Sequence, residues 1–80
     1  MTAEEVLKAI HPIFQEVLEN ENIVLTRETT ANQVEGWDSL SHIDIIVAIE
    51  KHFGIRFTSA EIASFKNVGD LVDCVVKKKS

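Results

Sequence analysis

The segment from Gly36 to Gly54 limits the fold more than any other part of this chain. It opens with Trp37-Asp38-Ser39-Leu40 and runs to Phe53 without an internal Pro or Gly. At about 100° per residue, His42, Ile45, Ile46, Ile49 and Phe53 share one arc of a helix. Leu40, Ile43 and Val47 form a second arc, bordered by Asp44 and Lys51, with Glu50 on its other side. A helix that is apolar on two faces has two uses. It is either packed by neighbours on both sides, or it buries one stripe and leaves the other open to a partner or apolar ligand. Asp38 suits the N-cap, which puts Ser39 in the first turn, and Gly54 is a natural stop.

The rest of the chain supplies helices to pack against it. Thr2 and Glu5 have capping-box spacing, and Val6, Leu7, Ile10, Phe14, Val17 and Leu18 follow as one stripe. The pattern predicts a helix from about Ala3 to Glu19. Pro12 lies inside it, where a proline costs on the order of 3 kcal/mol. The stripe keeps its phase across Pro12, so a kink is expected rather than a break. Residues 20–37 carry cap and turn formers together with Ile23, Val24, Leu25 and Val34, and predict a long loop docked on the core. After Gly54, Ile55 to Phe57 suit a short extended link. Thr58 with Glu61 predicts a short helix, Ser59 to Phe65. Asn67 with Asp70 opens a last helix, whose stripe is Val68, Leu71, Val72, Val75 and Val76 and whose end is near Lys77. The fold class is all-α: a four-helix bundle with a short third helix and a long loop between helices 1 and 2.

Composition excludes several functions. With 80 residues the chain holds one small core, too little for a deep active site built from many loops. One Cys supplies neither an internal disulfide nor a multi-Cys zinc site. No apolar run is long enough to cross a membrane, and the opening MTAEEVLKAI lacks the basic start of a signal peptide. A soluble, cytoplasmic protein without membrane insertion is expected. The net charge is −5, and without Lys77, Lys78 and Lys79 the remainder has five bases against thirteen acids, a net −8. Such a surface repels nucleic acid and suits basic protein patches. The three lysines also complement the macrodipole at a helix C-terminus.

Candidate chemistry is sparse. His11, His42 and His52 lack neighbouring ligands at metal spacing. Cys74, beside an apolar stripe and with Asp70 and Asp73 as its nearby charges, fits a small buried hydrophobe rather than a nucleophile. Ser39, His42 and Asp44 lie close in sequence, but on one helix they cannot align as a relay, and no Gly-x-Ser-x-Gly elbow is present. Trp-Asp-Ser-Leu resembles the Gly-Asp-Ser-Leu signature of some lipases, with Trp37 in place of the glycine. Ser39 has a better physical role: an anionic ester on its hydroxyl would sit at the positive end of the helix dipole, near unpaired N–H groups.

With Asp38-Ser39-Leu40 opening this helix, and Glu50-Lys51-His52-Phe53-Gly54 closing it, the whole chain resembles the acyl carrier proteins. The resemblance implies one acyl-carrier domain over residues 1–80 and a protein that catalyses nothing itself. It implies 4′-phosphopantetheine attached covalently to Ser39 by a phosphopantetheinyl transferase, with Asp38 assisting. The thiol of that arm would carry an acyl or aminoacyl group to partner enzymes of fatty-acid, polyketide or related specialised biosynthesis. Those partners comprise an acyl-loading ligase or transferase and synthase enzymes. Leu40, Ile43, Asp44 and Val47 match the family's partner-facing ridge, and Ile62 and Ala63 lie where its third helix borders the arm. A monomer is expected. Fatty-acid members have a more acidic second helix; here Ser41, Lys51 and His52 stand where acids are frequent, which resembles carriers of specialised pathways. A small acidic interaction module without a prosthetic group remains the alternative.

Overall fold

The computed structural model describes residues 2–79, and among them the regular structure is entirely helical. Helix α1 spans Ala3–Val17. Thr2 Oγ1 accepts from the Glu5 N–H at 3.2 Å while Glu5 Oε1 accepts from the Thr2 N–H at 2.9 Å, the expected capping box. Val6, Ile10 and Phe14 are buried on one face. Pro12 neither ends nor interrupts α1. It removes the N–H that would bond the Lys8 carbonyl, but both residues are exposed, so water can take that carbonyl. The helix ends two residues earlier than expected. Glu19 adopts the left-handed conformation (φ 52°), and the Asn20 N–H turns back to the Gln15 carbonyl at 3.0 Å.

The long loop is docked rather than free. Ile23, Leu25, Val34 and Trp37 are buried in the core, and Val24 is exposed. His11 Nε2 donates to the Ile23 carbonyl at 2.6 Å, tying the loop to α1. A single 3₁₀ turn, Ala31–Gln33, breaks an otherwise irregular path. Helix α2 spans Ser39–Phe53 and ends on Gly54 at φ 67°. Its buried set is Ile45, Ile46, Ile49 and Phe53, the first arc of the wheel with His42 half-buried beside it. Helix α3 is short, Ser59–Ser64, with Phe65 already extended. Helix α4 runs Val68–Lys79, past the expected end at Lys77. Helix α1 packs against both α2 and α4.

Helix α4 borrows its N-terminal cap from the loop. The Val68 N–H donates to the Thr29 carbonyl at 2.8 Å and the Gly69 N–H to the Arg27 carbonyl at 2.7 Å. Asn67 Oδ1 takes the Asp70 N–H at 2.9 Å, and Asp70 Oδ2 takes the Lys66 N–H at 3.0 Å. Two of the four orphan donors are thereby satisfied by residues about forty positions away. The loop comes so close that a Cβ on Gly69 would lie 2.8 Å from the Arg27 carbonyl oxygen. That oxygen is backbone and cannot swing aside. Gly69→Ala therefore costs about 1–2 kcal/mol net, because overpacking outweighs alanine's better helix propensity. Thermal unfolding of the variant should show a midpoint several degrees lower; an unchanged or raised midpoint would refute the clasp.

Candidate functional site

Asp38 caps α2 with one oxygen. Its Oδ1 accepts from the N–H groups of Leu40 and Ser41, each at 3.0 Å. Ser41 completes the box: its Oγ accepts from the Asp38 N–H at 2.8 Å and donates to the Gly36 carbonyl at 2.6 Å. Bonding to the backbone and then the side chain of Ser41 holds the Asp38 carboxyl below its usual range. Ser41, which looked on sequence like a place where a surface acid had been lost, is thus half of a helix cap.

This arrangement corrects one expectation. The N–H groups of Leu40 and Ser41 are not free for an anion on Ser39, because Asp38 has claimed them. The dipole remains, but an anionic ester there must find its hydrogen bonds elsewhere. Ser39 itself is exposed as the first residue of α2.

Beside Ser39 lies an open cleft of about 400 Å³ between the start of α2 and α3, lined by Ala31, Trp37, Asp38, Ser39, His42, Ile62, Ala63 and Phe65. Trp37 forms its floor. The indole packs edge-on to Phe14 at 4.9 Å between ring centroids, and its Nε1–H donates to His42 Nδ1 at 3.1 Å. His42 thus offers Nδ1 to an indole and not to a carboxylate, and Asp44 is exposed on the outer ridge. No Ser39–His42–Asp44 relay is assembled.

The second arc of the wheel faces solvent, with Leu40 81% exposed, Ile43 49% and Val47 40%. Asp44 stands among them, exposed. Ile62 is set apart from this ridge: it is half-buried in the cleft, beside Ala63. The ridge and the cleft meet only at the N-terminal end of α2, where Ser39 stands.

The cleft wall is braced from behind by contacts that no local sequence pattern marks. Lys78 Nζ on α4 pairs with Glu61 Oε1 on α3 at 2.9 Å and lies 5.7 Å above the Phe57 ring. Phe57 meets Phe65 edge-to-face at 5.5 Å. Lys79 Nζ donates to the Phe53 carbonyl at the end of α2, and Glu50 Oε2 takes the Phe57 N–H. At least two of the terminal lysines therefore hold specific partners. Cys74 is half-buried, with Sγ 3.5 Å from Glu61 Oε2, and burial pushes its thiol up from the ordinary range.

Residues 8–75 match the family model described as "Phosphopantetheine attachment site". The chain belongs to the acyl carrier proteins. It is similar to an acyl carrier protein of Acidothermus cellulolyticus, 32% identical over 75 residues, covering 94% of this chain and 89% of the relative. It is also similar to a meromycolate extension acyl carrier protein of Mycobacterium leprae, 31% identical over 77 residues, covering 96% of this chain and 67% of the relative. The solution structure of a holo acyl carrier protein from Geobacter metallireducens superposes with a TM-score of 0.86 at 52% identity, covering 91% of this chain and 84% of that one. The all-α, four-helix fold is that of the family, and its cofactor is covalently attached 4′-phosphopantetheine. An interaction module with no prosthetic group is ruled out by the same match. Acyl carrier proteins carry acyl groups for other enzymes, a transferase and synthases among them. Among the described residues, no helix is long and apolar enough to cross a membrane.

The residues beside Ser39 suit such a group. The hydroxyl is accessible, an apolar wall of Ile62, Ala63 and Phe65 stands opposite, and two polar side chains, Asp38 and His42, border the mouth.

The α3 brace has a pH signature. Hydrogen bonding from the Thr58 backbone, then from Lys78, lowers the Glu61 carboxyl to about 2. A carboxyl depressed in the folded state stabilises above the unfolded value and loses that contribution as pH falls toward the folded one. The window here runs from about 4.5 down to about 2. Glu61→Gln should be less stable than wild type at neutral pH, and the difference should shrink through that window. Denaturant melts across acid pH would show it, and parallel curves for the two proteins would contradict the brace.

Proposed function

We propose that Ser39 carries the 4′-phosphopantetheine and that residues 1–80 act as one carrier domain, itself without catalytic activity. The observation that supports this best is the exposed Ser39 hydroxyl, set as the first residue of α2 at the mouth of the cleft. Bound there, the group supplies a thiol that holds an acyl or aminoacyl cargo as a thioester. Asp38 fixes the helix start through Oδ1 and keeps a charged carboxylate beside Ser39, suited to a metal-bound coenzyme A in the transferase. Leu40, Ile43, Asp44 and Val47 form the docking ridge for partner enzymes. Ile62 and Ala63 border the arm. A docked partner then meets the cargo at high effective concentration, so modest affinity is sufficient and the carrier can leave again.

The partners fit a specialised pathway better than general fatty-acid synthesis. Asp38 and Asp44 lie toward the Ser39 end of α2, while Lys51, His52 and Arg56 are exposed at its far end. A partner with one continuous basic patch would meet repulsion along the last turn of α2. The matching partner is basic near its entrance and neutral or acidic beyond. A monomer in the cytoplasm, loaded by a dedicated ligase or transferase, completes the reading.

Two measurements test these statements. Incubation with coenzyme A, magnesium and a promiscuous phosphopantetheinyl transferase should add one phosphopantetheine mass, and Ser39→Ala should abolish the addition. A folded wild-type protein that gains no mass would overturn the assignment. The holo protein should also be a poor substrate for housekeeping fatty-acid enzymes, and Lys51→Glu with Arg56→Glu should improve it. Full activity of the unaltered protein would remove the specialised-pathway reading and leave the Ser39 assignment intact.

A further inference from the structure

We infer that His42 is a positioning residue for the group on Ser39, donating its Nε2–H to the phosphodiester in a tautomer fixed by Trp37. This rests on Ser39 being the attachment site. The indole Nε1–H of Trp37 can only donate, so His42 Nδ1, 3.1 Å away, must be a bare acceptor. The neutral ring then carries its proton on Nε2. The two ring systems lie nearly parallel, 22° apart with centroids separated by 6.0 Å. That spacing suits rings side by side, as an in-plane N–H···N bond requires, rather than face to face.

Position and elimination supply the rest. Residues three apart on a helix share a face, with Cβ atoms about 5–6 Å apart, so His42 and Ser39 are neighbours. Both line the same cleft. The other side chains there cannot donate to an anion. Ala31, Ile62, Ala63 and Phe65 have no polar hydrogen, the Trp37 N–H is spent on His42, ionised Asp38 only accepts, and Ser39 loses its hydrogen on esterification. The nearby backbone donors of Leu40 and Ser41 are held by Asp38. His42 Nε2–H is the side-chain donor left among the cleft-lining residues, and the one charged side chain in that lining is the repelling Asp38 carboxylate. Trp37 thereby orients a donor toward the arm, much as an outer partner fixes the tautomer of a catalytic or metal-binding histidine.

The test compares apo protein with protein converted by coenzyme A, magnesium and transferase, at mildly alkaline pH. In the apo protein, long-range proton–nitrogen spectra should show His42 as the Nε2–H tautomer. Conversion should shift the Nε2 resonance more than Nδ1. The phosphorus resonance of the holo protein should move in His42→Phe and His42→Asn but stay near its wild-type position in His42→Gln, whose amide nitrogen occupies the place of Nε2. A purely structural role for His42 predicts the reverse, with His42→Asn the better substitute because its amide replaces Nδ1. Trp37→Phe should give mixed tautomers of His42 in the apo protein. Should the His42 variants unfold, the wild-type comparison decides alone. A complete mass gain with an unmoved Nε2 resonance overturns the role of His42 and spares Ser39. No mass gain overturns both.

Discussion

The site depends on where Trp37 is pinned. Its indole presses against Phe14 on α1 and bonds to His42 on α2, so one side chain ties the end of the long loop to two helices. An aromatic pair of this kind contributes about 0.5–1.5 kcal/mol beyond its buried area. More important is its position in the chain. Asp38 follows directly, so the helix cap forms where the loop meets the core. Ser39 follows Asp38 and stands at the surface. A shift of one residue in the anchor would move the cap and turn Ser39 by about 100° around the helix.

The same economy creates a conflict at the start of α2. A well-capped helix and an anion-binding helix terminus both need the first N–H groups, and each can serve only one. Here the cap has those of Leu40 and Ser41. The gain is a fixed helix start, where loss of an Asp cap would cost about 1 kcal/mol. The consequence is that a negative group on Ser39 is left with the dipole, the Ser39 N–H and side chains. The proposed donor, His42 held by a buried tryptophan, would answer that need.

The sequence made most of this legible, for a physical reason. Helix α2 could be read because its arcs are built from side chains that differ sharply in burial, and its ends are marked by Asp38 and Gly54. Thr2 with Glu5 and Thr58 with Glu61 announced the starts of α1 and α3, because a capping box is a local device written within four residues. Long-range features could not be read this way. The clasp of Arg27 and Thr29 on α4 is made by carbonyls, which every residue has, so no side-chain pattern marks it in the sequence. The Lys78–Glu61 brace needs the fold to bring residues seventeen apart in sequence together. Ser41 was misleading because its role depends on hydrogen bonds to Asp38 and Gly36, not on its polarity. The N–H groups near Ser39 turn on the same point: Asp38 is legible as the cap, but its bonds to Leu40 and Ser41 depend on the folded geometry.

The two walls of the cleft are unequal. Helix α2 has fifteen residues, with Ile45, Ile46, Ile49 and Phe53 buried in the core. Helix α3 has six residues, none of them fully buried, and a helix of that length has no stability of its own in water. What holds it is an ion pair of Glu61, which does not line the cleft, with Lys78, and the packing of Phe65, itself a cleft residue, on Phe57 beneath the same lysine. Local opening follows the weakest element, so widening this cleft means moving α3 while α2 stays in place. Ser39 and the exposed ridge both lie on α2. Under the proposed assignment, the attachment point therefore keeps its register with a docked partner, and the opposite wall is the one with less to hold it in place.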